Sequence, residues 1–255
     1  MILTDTHTHL YYETDEHKRK DLMERSLANK VSRLFLPNVN TESIHLIDQL
    51  STEFPENCFP MLGLHPCEVN ADWQRQWDNI KNALNSRKIY AVGEIGIDLY
   101  WEKAYLKQQI EAFEEQISWA KTLNLPIVIH CRDAFNEVYD VLQRLNDERL
   151  RGIFHCFTGT AEQAHLVTAL GFYLGIGGVV TYKNGGLDKV LPEINPKYIV
   201  LETDSPYLSP VPYRGKPNES SYLVHIAQKV ADIYQQDISI IADITTQNSK
   251  KIFGI

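Results

Sequence analysis

Eight short apolar runs alternate along this 255-residue chain with longer stretches of helical periodicity, and that alternation restricts the fold more than any single motif. The runs are MILTDTHT (1–8), VSRLFLPN (31–38), CFPMLGLH (58–65), IYAVGEIG (89–96), PIVIHC (126–131), RGIFHCF (151–157), FYLGIGG (172–178) and YIVLETD (198–204). Between them, KAYLKQQIEAFEEQISWAKTL places Leu106, Ile110, Phe113, Ile117 and Ala120 at helical spacing. TESIHLIDQLSTEF has the same character, and SYLVHIAQKVADIYQQ and ISIIADITTQNSKKIFG close the chain as helices. Parallel strands must be joined by crossovers, so a strand–helix repeat of this kind implies a parallel sheet. Eight such units at this length predict an α/β fold, a single (β/α)8 TIM-type barrel with 1–255 as one domain. A doubly wound open sheet shares the local pattern and is the alternative, because pattern does not reveal closure.

A barrel makes a demand on the sequence: chemistry collects at the C-terminal ends of the strands, so polar residues should punctuate them. His7 and His9 end the first run, His65 the third, Glu94 lies near the end of the fourth, His130 near the end of the fifth, His155 near that of the sixth and Asp204 ends the eighth. Shuffling nine histidines through the chain would produce about 0.3 His-x-His pairs, so the opening pair alone is weak. Its weight comes from the other strands that end in the same way. Residues i and i+2 of a strand share a face, so His7 and His9 form a two-imidazole clamp if they face the barrel mouth. His7, His9, Glu94, His130, His155 and Asp204 are more ligand-type side chains than one tetrahedral ion needs. They suit two divalent ions about 3.5–4 Å apart. Two such cations against two carboxylates leave a positive centre that favours an anion such as phosphate. Imidazoles fit Zn²⁺, while the carboxylates and phosphate also allow Mn²⁺ or Mg²⁺.

The flanks point the same way. His65, Arg132, Arg214 and Lys216 lie in or just beyond strand ends, where guanidinium groups can grip phosphate oxygens in pairs. Asp98 is placed to orient a ligand or to cap a helix. Formal net charge is −8, which argues against wrapping of duplex nucleic acid, a function that needs a broad basic surface. A short single-stranded end needs only a few contacts, and Tyr100, Trp101, Tyr182, Tyr207 and Tyr213 follow strand ends where they could stack bases. The four cysteines make no C-x-x-C pair and are read as free thiols, with Cys131 and Cys156 turned away from the site by strand alternation. His17, His45, His165 and His225 are read as structural. GIGG (175–178) lacks dinucleotide-binding spacing, and no G-x-S-x-G elbow exists. No signal peptide or 18-residue apolar run is recognisable, so a cytoplasmic protein without a membrane span is expected. No surface stripe suggests an obligate protein partner, and a monomer is expected.

Taken in order, DTHTHL, GLHP, VGEIGID, LPIVIHCRDA, FHCFTGT, GFYLGIGGVVTYKN and LETDSPYLSPVPYRGKPNES resemble the TatD family of metal-dependent deoxyribonucleases, of the amidohydrolase-like barrel class, over essentially the whole length. The resemblance implies that His7, His9, Glu94 and Asp204 hold one ion and Glu94, His130 and His155 the other. It also implies that His65, Arg132 and Arg214 line the phosphate side. The expected function is phosphodiester hydrolysis of DNA, exonucleolytic on single-stranded ends or short oligonucleotides, by hydroxide that the two ions make available near neutral pH. Asp204 would accept the proton and Glu94 would bridge the ions. An amidohydrolase cleaving a C–N or carboxylic ester bond of a small molecule is the alternative. Many barrels of that kind bridge their metals with a carboxylated Lys, whereas VGEIGID offers Glu94 and no Lys.

Overall fold

Each of the eight apolar runs coincides with a strand, and all but β5 are shorter than their runs. The computed structural model describes residues 1–84, 87–101 and 103–255. Its first half alternates β1 (Leu3–Asp5), α1 (Glu16–Ala28), β2 (Val31–Leu36), α2 (Ser43–Glu53), β3 (Cys58–Pro60) and α3 (Trp73–Ala83). There follow β4 (Val92–Asp98), α4 (Leu106–Leu123), β5 (Ile127–Arg132), α5 (Phe135–Leu145), β6 (Gly152–Phe154), α6 (Ala161–Ala169) and β7 (Tyr173–Ile176). The short α7 (Leu187–Val190), β8 (Ile199–Leu201), α8 (Leu223–Tyr234) and α9 (Ile238–Phe253) complete the chain. β4 and β5 run later than their sequence limits suggested, to Asp98 and Arg132; the others stop before their polar ends, where the backbone leaves the ladder to form the mouth.

The strands pair in parallel as β1-β2-β3 and β4-β5-β6-β7-β8. Two seams join these sheets. At one, Gly93 N–H donates to the Leu62 carbonyl (2.9 Å) beside a Leu62–Val92 bridge. At the other, Thr6 N–H donates to the Leu201 carbonyl (3.0 Å) and Asp204 N–H to that of His7 (2.9 Å), beside a Thr8–Ser205 bridge. Closure at both seams makes a barrel, and the open-sheet alternative is set aside.

Inside, Phe35, Met61, Ala91, Val128, Ile153, Tyr173 and Val200 pack together with Ile252 and Phe253 from the end of α9. The Phe253 ring stacks on Phe35 with centroids 3.7 Å apart. Each large apolar side chain buried in this way contributes roughly 1.5–3 kcal/mol. The alternation of a strand then carries the inward face from this floor up to the mouth: Val128 to His130, Ile153 to His155, Val200 to Glu202 and Asp204.

Strand β4 breaks that rule. Counting from the inward Ala91 would leave Glu94 facing the helices. The register against β5 shifts between Gly93 and Ile95, so Glu94 is an extra residue that reverses the phase. Ile95 and Ile97 consequently join the outer core with the helices, and Glu94 and Asp98 turn inward. The close approach of β4 to β5 needs Gly96: a Cβ there would meet the His130 carbonyl oxygen at 2.0 Å, and its φ is +144°.

Among the described residues, no helix is long and apolar enough to cross a membrane.

Candidate metal centre

The six ligand-type side chains singled out in the sequence meet at the C-terminal mouth, together with His65. Glu94 lies at their centre, and its two oxygens face different imidazoles. Oε2 is 3.1 Å from His7 Nε2 and 3.8 Å from His9 Nε2. Oε1 is 2.7 Å from His130 Nδ1, 3.4 Å from His65 Nε2 and 3.8 Å from His155 Nε2. Asp204 Oδ1 closes the first half, 3.5 Å from His9 Nε2, 3.8 Å from His7 Nε2 and 3.9 Å from His155 Nε2. The His7 and His155 rings stack with centroids 3.5 Å apart. His7, His9, Glu94 and His155 are buried; His65, His130 and Asp204 open partly to the mouth.

The hydrogen-bond partners of the outward ring atoms show which nitrogens are free. Tyr11 has one hydroxyl proton, which it donates to the Pro37 carbonyl at 2.7 Å. His9 Nδ1, 2.7 Å from the same oxygen, must therefore donate to it. That tautomer leaves the Nε2 lone pair of His9 facing Asp204 and Glu94. His130 Nε2 lies 2.8 Å from Asp98 Oδ2, so its Nδ1 is the atom turned toward Glu94. Asp98 thus stands behind a candidate ligand, while its Oδ1 accepts from the Tyr100 and Trp101 N–H groups of a turn rather than capping a helix, the N-cap of α4 being Tyr105. His155 Nδ1 is 2.9 Å from Glu202 Oε1, a charge contact outside hydrogen-bond alignment.

Electrostatics agree with this arrangement. Burial opposes ionisation of Glu94, yet His7, His65, His155 and the His130 bond hold it well below the usual carboxylate range. Asp204 is likewise lowered, His155 and His9 outweighing its burial. Burial drives His7 and His65 down. His155 is pushed up to about 10, because Glu202, Glu94 and Asp204 overcome its burial. A cluster this dense in lone pairs, with imidazole nitrogens of His7 and His9 only 3.3 Å apart, has more acceptors than protons to separate them. The donor set of imidazoles and carboxylates therefore fits divalent cations.

Three residues near the site received no role from the sequence, although Asp5 stands in the same alternating pattern as His7 and His9. Glu202 is fully buried two residues before Asp204, so the same i, i+2 argument used for His7 and His9 would have found it. Tyr11 carried no distinguishing signal beyond its closeness to His9. Asp5, at the end of β1, accepts from Thr203 N–H (2.9 Å) and Oγ1 (2.6 Å), tying β1 to the β8 loop beneath the histidines. One expectation needs correcting. Cys156 does not turn away: its N–H donates to Glu202 Oε1 at 2.6 Å, and its sulfur groups with His155 and Glu202. Strand β6 ends at Phe154 and Cys156 has a φ of +47°, so strand alternation no longer applies to it. All four cysteines are free, as expected. His17, His45, His165 and His225 lie on helices α1, α2, α6 and α8, outside the cluster.

Around the mouth, the Arg132 guanidinium lies 4.0 Å from the Tyr100 ring centroid and 5.5 Å from that of Trp101. Arg214 lies 3.9 Å over Tyr182 and donates to its hydroxyl. Among the described residues, neither guanidinium has a carboxylate partner. Tyr100, Trp101 and Tyr207 are exposed, while Tyr213 is half-buried and stacked on Tyr222.

A closed parallel barrel with carboxylates and imidazoles gathered at its C-terminal mouth defines a metal-dependent hydrolase. The chain belongs to the TatD related DNase family, whose profile matches residues 4–254. It is 37% identical over 255 residues to the metal-dependent hydrolase YabD of Bacillus subtilis, covering 100% of both chains. It is 32% identical over 244 residues to the 3'-5' ssDNA/RNA exonuclease TatD of Escherichia fergusonii, covering 93% of each. Among solved structures, the TatD homologue YjjV of Escherichia coli superposes with a TM-score of 0.92 at 25% identity, over 99% of this chain and 98% of that one. The phosphotriesterase homology protein of Escherichia coli, at 12% identity and a TM-score of 0.69 over 98% of each chain, shares the fold.

Proposed function

We propose that this protein is a two-metal exonuclease that trims single-stranded DNA ends or short oligonucleotides. His7, His9, Glu94 and Asp204 would hold one divalent ion, and Glu94, His130 and His155 the other, with Glu94 as the bridge. The observation that carries this is the division of the Glu94 carboxylate, Oε2 toward His7 and His9 and Oε1 toward His130. Relatives named as 3'-5' ssDNA/RNA exonucleases support the substrate class and suggest attack from the 3' end.

When bound, Zn²⁺, Mn²⁺ or Mg²⁺ ions would supply Lewis acidity toward a phosphoryl oxygen and a hydroxide nucleophile near neutral pH. The chain's own groups do the remainder. Asp204, kept ionised among imidazoles, accepts the proton of the attacking water. Arg132 and Arg214, which have no carboxylate partner among the described residues, hold the phosphate oxygens, and His65 adds a third contact beside Glu94. Asp98 fixes the His130 ring while anchoring the Tyr100–Trp101 loop, which couples the centre to its aromatic rim. The same reading has the chain acting as one domain, a monomer in the cytoplasm with no obligate protein partner.

The test is incubation of metal-loaded protein with 5'-labelled single-stranded DNA, the matching RNA and a small carboxylic ester. Stepwise release of mononucleotides, lost with chelator and with His7→Ala, is the expected result. Ester hydrolysis without nucleotide release would favour the amidohydrolase alternative.

A further inference from the structure

Beside the metal centre, on the side where β1 meets β8, a cavity of about 550 Å³ opens between α1 and the loop after β8. That volume falls within the range of small-molecule sites. His9 is the partition. Its Nε2 faces Asp204, while the Tyr12 ring lies nearly parallel to the imidazole, centroids 5.6 Å apart and planes 12° apart. Beyond His9 the walls are largely apolar, built from Tyr12, Leu22, Pro206, Pro217 and Tyr222.

The charged groups of the cavity fall into two sets. Arg25 donates to both oxygens of Glu219, linking α1 to the loop, Glu13 accepts from the Asp15 N–H, and the Asp21 carboxylate also lines the cavity, with no cation partner among the described residues. Lys18 and Lys216 have no carboxylate partner among the described residues. Lys18 is fixed in the first turn of α1 by its own backbone, whose N–H donates to the capping Asp15 carboxylate. Flat aromatic walls, two unpaired ammonium groups and an edge shared with the metal centre fit a nucleobase with its flanking phosphate.

We infer that this cavity holds the terminal nucleoside of the strand, so that the bond presented to the metal centre is the last internucleotide linkage. The inference rests on the nuclease reading above. The Arg25–Glu219 link joins α1 to the loop within the cavity's lining and would limit how far a strand could continue past the seated nucleoside. On the β4–β5 side, by contrast, the exposed Tyr100 and Trp101 leave the mouth open for the body of the strand. The metal centre supplies hydrolysis; the cavity makes it act from an end.

The experiment compares kcat/KM for a thymidine pentanucleotide with kcat/KM for bis(p-nitrophenyl) phosphate, which has no nucleoside to seat. In Leu22→Trp, which fills the cavity, the ratio falls by roughly tenfold or more, the scale of one lost base stack. The exposed pair Lys18→Glu with Lys216→Glu lowers it in the same direction and guards against misfolding of the first variant. An unchanged ratio, whether both rates persist or both fall together, overturns the inference. Calorimetric titration with thymidine 5'-monophosphate gives a separate reading, with uptake by the wild type lost in both variants. Wild-type protein that cleaves the diester and never the oligonucleotide defeats the nuclease reading, and the nucleotide titration then decides the cavity alone. Equal affinity in wild type and variants, or no uptake by any of them, overturns it.

Discussion

Glu202 Oε1 lies 2.9 Å from His155 Nδ1, while the Nε2 of the same ring faces Glu94 and Asp204 at 3.8 and 3.9 Å. A fully buried carboxylate thus stands behind an imidazole whose other nitrogen points into the metal centre. Such a partner orients a ligand and raises its basicity. Glu202→Gln, which keeps shape and removes charge, should weaken metal binding about 10–100-fold in competition with a chromophoric chelator. Unaltered affinity would reduce Glu202 to a packing residue.

Tyr11 fixes the tautomer of His9. Tyr11→Phe removes an oxygen that both accepts from His9 and donates to Pro37, leaving two buried groups unpaired. A loss of about 1–3 kcal/mol in urea unfolding is expected, with a weaker metal isotherm. Stability lost with metal affinity untouched would count against the tautomer argument.

In the proposed reaction Asp204 both ligates and accepts a proton. Asp204→Asn retains an oxygen and loses the base, so turnover should fall by about 100-fold or more while part of the metal remains bound. Metal analysis of the dialysed variant beside its rate separates the two effects. A near wild-type rate would remove Asp204 from proton transfer.

Arg214 rests on Tyr182 at the rim, away from the buried ligands. Arg214→Ala should raise KM for an oligonucleotide by about tenfold and change kcat by less than roughly threefold, the behaviour of a group that captures substrate. Steady-state kinetics over a range of oligonucleotide concentrations would show it, and an unchanged KM would contradict the assignment.

Asp5 reports on pH. Burial raises its pKa from 3.8 to about 7, against the pull of its Thr203 bonds. The folded state therefore holds a proton that the unfolded chain releases near pH 4. Its contribution is full below that point and is lost as pH rises to about 7, then stays level. Asp5→Asn removes this slope, so the difference in unfolding free energy between wild type and variant should change between pH 4 and 7 and not above. Parallel curves across that window would show that Asp5 stays ionised.

The strand–helix count, the polar strand ends and the metal-type residues were all legible in the sequence, because each depends on local spacing. Strand limits were less so. His7 and His9 lie beyond β1, on either side of the Thr8 bridge, since what ends β1 is its seam with the β8 loop, formed by residues about 200 positions away. Cys156 was misjudged for a related reason: an alternation rule was extended past the last residue of β6.

By itself, the sequence determined the class of fold, the family and the residues able to bind divalent cations, since periodicity and side-chain chemistry are properties of neighbours along the chain. Tertiary structure alone decided that the two sheets close into a ring, that a bulge turns Glu94 inward, and that Glu202 and Tyr11 stand behind the imidazoles. These depend on pairing register and on contacts between distant segments. A shift of one residue in register reverses which face a side chain occupies, and short-range pattern carries no record of that shift.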